Sequence, residues 1–209
     1  MKKLFVCFVL SIICLDVWSQ AKFGFESGLG MYTITSSRVK THPRITLMGG
    51  MWLQIKMSKS WTVQSELTYC QKGAGGYYHD HPNNGDYWLG LTYFEVPILF
   101  QYNKKNVYLE FGPGLALLMN SGEYSIGGVL PYQTLLYPFS KKDLFFNLGA
   151  GYVFNKKWCV GLRLTHSLLP VRKQLPETSH PGYNRGIVLS VSRQISLKAS
   201  RTKQSQVIE

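Results

Sequence analysis

The sequence has few charged residues and, after its first segment, no long apolar run. Asp, Glu, Lys and Arg make up 16% of the 209 residues, whereas a globular domain usually has about 25%. Beyond residue 21 no run of about 18 consecutive apolar residues occurs, so the sequence predicts no transmembrane helix there. If this chain enters a membrane, it must cross it as strands.

Cysteine is also scarce, and the four present do not suggest a disulfide framework. Cys7 and Cys14 lie in the N-terminal segment. A lipoprotein anchor at Cys14 is disfavoured, because bulky Ile13 stands where such a site needs a small residue. Cys70 and Cys159 are expected at opposite ends of non-adjacent strands, too far apart for a disulfide, so we predict two free thiols.

The formal charge of +12 is not accompanied by a nucleic-acid-binding motif. The chain has no helix-turn-helix, zinc-finger or RNA-binding pattern, so we expect no nucleic-acid partner. An exported protein with this charge meets anionic lipid headgroups first. We therefore expect anionic lipid, rather than nucleic acid, as a partner of this charge.

The N-terminal segment has the three parts of an export signal. Met1 to Lys3 is a basic start, and the apolar run from Leu4 to Leu15 is shorter than the roughly 20 residues that a spanning helix needs. Ser19 and Ala21 are small residues at the −3 and −1 positions of a cleavage site. We predict a cleaved signal peptide over residues 1–21, a barrel over 22–197 and a flexible basic tail over 198–209.

After residue 22 apolar and polar residues alternate with a period of two, which is typical of strands. The alternation recurs in eight segments: 23–31, 45–56, 61–69, 93–102, 107–117, 143–154, 158–167 and 184–195. Short polar connections (57–60, 103–106 and 155–157) alternate with long ones (34–43, 73–90, 120–142 and 169–183). Bacterial outer-membrane barrels have short periplasmic turns and longer external loops. The sequence predicts an all-β, eight-stranded, antiparallel up-and-down transmembrane barrel.

Four aromatic residues lie beside the short connections and on the apolar face. Trp61, Tyr102, Phe154 and Trp158 are predicted to form the periplasmic aromatic girdle. A soluble barrel would instead bury its apolar face and show a charged face to water. The polar face here is mostly Gly, Ser, Thr and Gln at mid-strand, which favours the membrane barrel.

Several motifs, taken in order, resemble the PorT-like outer-membrane β-barrel family of Bacteroidota. They are MGGMWLQIKMSKSWTVQSELTYCQKGAGG from Met48 to Gly76, YFEVP from Tyr93, YLEFGPG from Tyr108, NLGAGY from Asn147 and GLRL from Gly161. The resemblance implies eight strands, a signal peptide and an envelope role, with the type IX secretion machinery as one setting. One departure is Ile195, where such barrels usually end on an aromatic residue.

Six charged residues fall on the polar face, which in a barrel of eight strands is a lumen just wide enough for side chains. They are Glu26, Lys56, Glu66, Glu95, Glu110 and Arg163. We predict that they pair into an internal structural plug; an ion path or gate is the alternative. If Glu66 and Glu110 share Arg163, one of the two is expected to hold a proton.

One external segment has metal-ligand chemistry. His79, Asp80, His81 and Asp86 match no standard zinc spacing and lie among turn residues, so we expect a solvated loop there. We predict no metal site and no cofactor.

His166 and Ser167 are the pair to test for barrel-enzyme chemistry. Adjacent strand residues face opposite sides, so the two cannot act as base and nucleophile. We predict no catalytic residues.

For a barrel of this kind we expect outer-membrane lipid and lipopolysaccharide as partners. Basic residues near the external loops are candidates for contacts with lipopolysaccharide phosphates, with plain solvated charge as the alternative. They are Arg38, Lys40, Arg44, Arg172, Lys173 and Arg185. Pro97 and Pro113 lie inside strands, where proline usually marks a bulge.

The function predicted from sequence is a non-enzymatic outer-membrane barrel that acts as a structural or accessory component of the envelope, in a secretion complex if the family resemblance extends to function. A small porin-like channel and a lipid-modifying barrel enzyme using His166 are the two alternatives.

Overall fold

The computed structural model describes residues 21–35, 39–78, 86–125, 128–129, 138–155, 157–172 and 181–195. The predicted signal peptide, except Ala21 in the first strand, and the predicted tail lie outside these residues. The strands within them are β1 Ala21–Thr35, β2 Val39–His42, β3 Arg44–Lys56, β4 Trp61–Tyr78, β5 Asp86–Lys104, β6 Val107–Ser125, β7 Gly128–Val129, β8 Lys142–Val153, β9 Trp158–Ser167 and β10 Tyr183–Ile195.

Across the described residues, eight long strands close into a barrel. Neighbours pair antiparallel in the circular order β1, β3, β4, β5, β6, β8, β9, β10, and β10 returns to β1. The short strands β2 and β7 add to the far ends of β4 and β6. The predicted eight-stranded antiparallel barrel is confirmed.

None of the described residues forms a helix that is long and apolar enough to cross a membrane.

The two ends of the barrel differ as the connection lengths predict, but the strands are longer than expected. At the short-turn end, residues 57–60 join β3 to β4, and Lys105 and Asn106 join β5 to β6. At the opposite, long-loop end, β4 continues to Tyr78, β5 starts at Asp86 and β6 continues to Ser125. The predicted loops at 73–90 and 120–142 were therefore too long.

Apolar side chains cover the outside of the wall, and the alternation is visible in exposure. On β5, Phe94 and Ile98 are exposed by 42% and 45%, whereas their neighbours Tyr93 and Leu99 are fully buried. Leu, Ile, Val, Met and Phe residues of all eight long strands share this outward face. Because so much exposed apolar surface is unfavourable in water, the exterior suits the hydrocarbon of a bilayer.

Near its long-loop end, β6 switches from even-numbered to odd-numbered residues on the side that faces the lumen. Tyr93 of β5 pairs with Leu118 and Thr92 pairs with Asn120, so Met119 is an extra residue in β6. Glu110 before this bulge and Glu123 after it are both buried, although their spacing is odd. The bulge therefore turns Glu123 into the lumen.

The two strand prolines do not mark bulges. The β5–β6 register is the same at the Pro97–Gly114 pair and at the Phe100–Phe111 pair, so it is unbroken across Pro97. Pro113 pairs in register with Phe146 of β8. The expectation of a bulge at these prolines is wrong, because the extra residue lies several positions beyond them, at Met119.

Candidate functional site in the barrel lumen

A buried cluster centred on Arg163 of β9 fills the middle of the lumen. Arg163 Nη1 and Nη2 donate to the two carboxylate oxygens of Glu66 on β4, both at 2.8 Å. Its Nε donates to Glu110 Oε1 on β6 at 2.7 Å. This fork of charge-assisted bonds holds three strands in register. We call Arg163, Glu26, Glu66 and Glu110 the lower cluster.

The lower cluster holds more carboxyl groups than cations. Glu26 of β1 lies beside Glu66, and its Oε1 atom is buried without a hydrogen-bond partner. Arg163 bonds directly to both Glu66 and Glu110, and the sequence predicted that one of these two would hold a proton if they shared this cation. The carboxyl group without a direct guanidinium bond is Glu26.

Glutamines extend the lower cluster towards the short turns. Gln64 donates to Glu66 at 2.7 Å, and Gln101 donates to Glu110 at 3.0 Å. Gln54 donates to Gln101 at 2.6 Å. Gln101 thus satisfies Glu110 Oε2, which Arg163 leaves open, and Gln64 adds a second donor to Glu66 Oε1. Buried charged groups require such partners.

A second buried cluster, missed by sequence analysis, lies nearer the long-loop end. Lys72 Nζ is 2.6 Å from Glu95 Oε1 and 4.0 Å from Asp143 Oδ2, and all three side chains are buried. Asp143 also accepts from Ser167 at 2.7 Å and from Asn184 at 3.2 Å. We call Lys72, Glu95 and Asp143 the upper cluster.

Aromatic rings surround the ammonium group of Lys72. It lies 4.7 Å from the ring centre of Phe145, 5.3 Å from that of Tyr93 and 5.5 Å from that of Tyr32. At these distances the ring faces stabilise a cation. Lysine is rarely buried without such partners, so the rings and the two carboxylates together account for its position.

An apolar layer and a third ion pair close the long-loop end of the described lumen. Leu89, Leu91 and Phe139 are among the buried residues of the layer. Arg172 Nη1 and Nη2 donate to the buried carboxylate of Glu123 at 2.6 and 3.0 Å. The guanidinium of Arg172 also stacks on Phe139 at 4.5 Å.

These contacts correct one expectation and locate others. Arg172, a candidate for lipopolysaccharide phosphate, is engaged with Glu123 inside the barrel. Arg44 stacks on Trp88 at 3.6 Å and donates to the carbonyl of Leu89. Arg185 is exposed. Arg38 and Lys173 lie outside the described residues, and the side chain of Lys40 is not described.

The predicted plug residues do not all meet. Glu26, Glu66, Glu110 and Arg163 come together, whereas Glu95 belongs to the upper cluster. Lys56 is exposed at the last position of β3 and joins neither cluster. The expectation for Lys56 is wrong, because the strand ends there and its side chain reaches solvent.

The predicted girdle residues all lie on the outer surface near the short turns. Trp61, Tyr102, Phe154 and Trp158 are 39–44% exposed. Trp61 and Tyr102 are in edge contact at 5.2 Å, and the guanidinium of Arg193 lies over Trp158 at 5.2 Å.

The residues considered for catalysis, disulfide formation and metal binding do not come together among the described residues. Ser167 faces the lumen and donates to Asp143, while His166 is exposed on the outer face. Cys70 and Cys159 are free, as predicted. Among the described residues no group of three His, Cys, Asp or Glu side chains could hold a metal; His79, Asp80 and His81 lie outside them, and the side chain of Asp86 is not described.

A cavity of about 800 Å³ occupies the lumen between the lower cluster and the short turns. Glu26 and Arg163 lie at its inner end, and Lys105, Asn106 and Lys157 lie at its mouth. Two rings lie flat against glycine positions of the wall: Trp52 covers Gly24 and Tyr108 covers Gly151. A Cβ at either glycine would overlap the ring, so each ring can lie this close to the wall only because the facing residue is glycine.

The outer membrane protein beta-barrel domain family matches residues 18–172 of the chain. Among solved structures, Neisserial surface protein A is similar with a TM-score of 0.55 and 11% identity, over 84% of this chain and 99% of that chain. Ail of Yersinia pestis has a TM-score of 0.49 and 11% identity, over 84% and 99% of the two chains. OprG of Pseudomonas aeruginosa has a TM-score of 0.45 and 9% identity, over 84% and 94%. No curated protein matches the chain.

Proposed function

Because this chain belongs to the outer membrane protein β-barrel domain family and is a barrel of the bacterial outer membrane, we propose that it is a non-enzymatic, closed barrel serving as a structural or accessory component of the cell envelope. Its short turns face the periplasm, as in other barrels of this membrane. Trp61, Tyr102, Phe154 and Trp158 then form a girdle at the headgroups of the inner leaflet.

The observation that carries the proposal is the packing of the outer half of the lumen. Lys72, Tyr93, Leu91 and Phe145 are each about 1% exposed or less. The pair of Arg172 and Glu123 lies beyond them. A water-filled pore needs exposed side chains along its whole length, so this packing favours a closed barrel over a porin-like channel.

Conductance across a planar bilayer tests closure. The purified barrel is expected to give no discrete current steps, while a porin inserted in the same bilayers serves as the positive control. The variant Lys59→Ala, changed in an exposed periplasmic turn, should behave like the parent protein. Reproducible unitary steps from the parent protein would refute the closed barrel and favour the channel.

The non-enzymatic proposal is supported by the separation of His166 from Ser167 across the barrel wall. A nucleophile must lie within hydrogen-bond reach of its base. We therefore expect the purified protein to release no fatty acid from phospholipid or lipopolysaccharide in micelles. Hydrolysis that disappears in His166→Ala would overturn this.

An accessory role in a secretion complex is the finer proposal, supported by the resemblance of the motifs to the PorT-like family. Chemical crosslinking in native outer membranes followed by affinity purification should recover a stoichiometric protein partner through the periplasmic turns. Recovery of lipid and lipopolysaccharide alone would contradict the accessory role and leave a structural barrel.

A further inference from the structure

The periplasmic cavity has polar atoms at its inner end that lack partners. The indole Nε1 of Trp52 and the Oε1 of Glu26 are buried without a hydrogen bond, and each residue is 6% exposed. Their strands are adjacent, because Gly24 pairs with Trp52 and Glu26 pairs with Gly50. One unsatisfied donor and one unsatisfied acceptor therefore lie on neighbouring strands of the cavity wall, where each costs free energy until a partner arrives.

A peptide group has the complementary pair of atoms. Its carbonyl oxygen accepts from the Trp52 N–H, and its N–H donates to Glu26. Side-chain amides elsewhere on the wall, among them Asn103 and Gln194, offer further donors and acceptors of the same kind. An extended chain of amides is therefore the ligand chemistry that this interior matches.

The mouth of the cavity is positively charged. Lys22, Lys105 and Lys157 line it. Within the described parts of the periplasmic connections, 57–60, 103–106, 154–155 and 157, no Asp or Glu is present. A cluster of like charges around a cleft raises the local concentration of oppositely charged ligands. The entrance thus favours anionic groups, while the interior favours amides.

We propose that the periplasmic cavity binds an anionic peptide, with its backbone amides directed to Trp52 and Glu26 and its carboxylates at the lysines of the mouth. Such a peptide comes from an acidic segment of a periplasmic protein or from the stem peptides of the cell wall, which share this chemistry. The inference deepens the accessory role proposed above by naming what the periplasmic face holds.

The thiol of Cys159 can report whether the cavity is occupied by a ligand. Cys159 lines the cavity and is partly exposed, with its Sγ 2.6 Å from Ser192 Oγ, whereas Cys70 is 1% exposed in the packed part of the lumen. A maleimide should modify Cys159 and spare Cys70. Bound peptide should slow the modification of Cys159, and mass spectrometry of the full protein in detergent micelles measures that rate.

The first experiment titrates an acetylated, amidated hexapeptide of alternating Glu and Gly, and measures Cys159 protection together with calorimetric binding. The matched peptide has Gln in place of Glu. Saturable protection by the Glu peptide, weaker for the Gln peptide and weakened by salt, supports the proposal. Soluble muropeptides form the second arm; binding of these alone assigns the ligand to the cell wall, and binding of the Glu peptide alone assigns it to protein.

Variants separate the cavity from general surface charge. Lys105→Ala with Lys157→Ala should weaken binding by about 2- to 30-fold, as expected for the loss of two partly exposed ion pairs. Trp52→Phe keeps a ring but removes the N–H and should weaken binding by about 2- to 10-fold. Lys59→Ala, in the turn 57–60 and outside the cavity lining, is the matched control and should leave binding unchanged.

Three results would overturn the proposal: no saturable binding in either arm, equal binding of the Glu and Gln peptides, or equal weakening by Lys59→Ala. Each leaves the closed-barrel proposal intact, because conductance tests that separately. Conversely, a conducting barrel that still binds peptide would refute closure while supporting the cavity as a binding site.

Discussion

Replacing Arg163 with alanine removes the cation of the lower cluster without adding a new group. The side chain makes three charge-assisted hydrogen bonds, two to Glu66 and one to Glu110, at 2.7–2.8 Å. It is nearly buried, with 12% side-chain exposure, and the side chains of its two partners are exposed by 0% and 3%. The variant therefore leaves buried carboxyl groups without a counter-charge.

The expected cost is about 3–5 kcal/mol, the range measured when one partner of a buried ion pair is removed. Counting the three bonds separately would give more, but they share one guanidinium and are not additive. Arg163→Lys keeps the charge but loses the planar fork that contacts both glutamates. We expect it to fall between the parent protein and the alanine variant.

Urea titration of the folded protein in lipid vesicles, followed by tryptophan fluorescence, measures these differences. Arg185→Ala is the matched control, because Arg185 is exposed at the long-loop end. It should change the free energy of unfolding by no more than about 0.5 kcal/mol. If Arg163→Ala unfolds at the same urea concentration as Arg185→Ala, the lower cluster does not stabilise the barrel and the reasoning fails.

The same titration tests five further substitutions. Glu26→Gln should not lower the free energy of unfolding, because this carboxyl lacks a direct bond to the guanidinium, whereas Glu66→Gln should lower it by about 1–3 kcal/mol by weakening a bidentate bond. Lys72→Ala should cost about 3–5 kcal/mol because it leaves two buried carboxylates of the upper cluster without their cation; an unchanged midpoint would contradict the pairing. Leu148→Arg, on the outer face at the height of the lower cluster, should cost about 2–4 kcal/mol, and Leu168→Arg, at the long-loop edge, about 0–1 kcal/mol. Equal costs at the two leucines would argue against a bilayer around the mid-height of the wall.

The barrel and the apolar outer face of its wall were predictable because period-two patterning is a local property of each strand. Phe94, Val96, Ile98 and Phe100 already indicate an apolar face, and only lipid or a core can cover it. The short turns then fix which strands are neighbours. The lengths of β4 to β6 were less predictable, since their far ends contain glycines such as Gly73 and Gly76 that sequence analysis assigned to loops.

Lys72 could have been predicted from the same rule. It has the parity of Glu66, Thr68 and Cys70, so extending the predicted segment 61–69 by three residues places it in the lumen. Its partner Asp143 is the first residue of the predicted segment 143–154. Lys72 was not predicted to face the lumen because the predicted segment ends at Tyr69, whereas β4 continues to Tyr78.

The pairing of Arg172 with Glu123 had no such signal. The sequence from Leu117 to Asn120 carries no alternation that reveals an extra residue, yet Met119 shifts the parity of everything after it. Without the bulge, Glu123 would face outwards, because it has the parity of the exposed Leu115 and Leu117. Bulges respond to strand pairing across the sheet, which one sequence does not encode locally.

The bulge at Met119 contributes to the difference between the two ends of the lumen. By turning Glu123 inwards, it gives Arg172 a buried partner, and the pair lies with Phe139 at the outer end of the packed lumen. At the short-turn end, the rings of Trp52 and Tyr108 lie against Gly24 and Gly151, and the cavity occupies the lumen. A barrel whose described lumen is packed at the long-loop end and hollow at the short-turn end fits our proposal of a closed barrel that holds a ligand from one side. The arrangement of its charges therefore favours a periplasm-facing receptor over a pore.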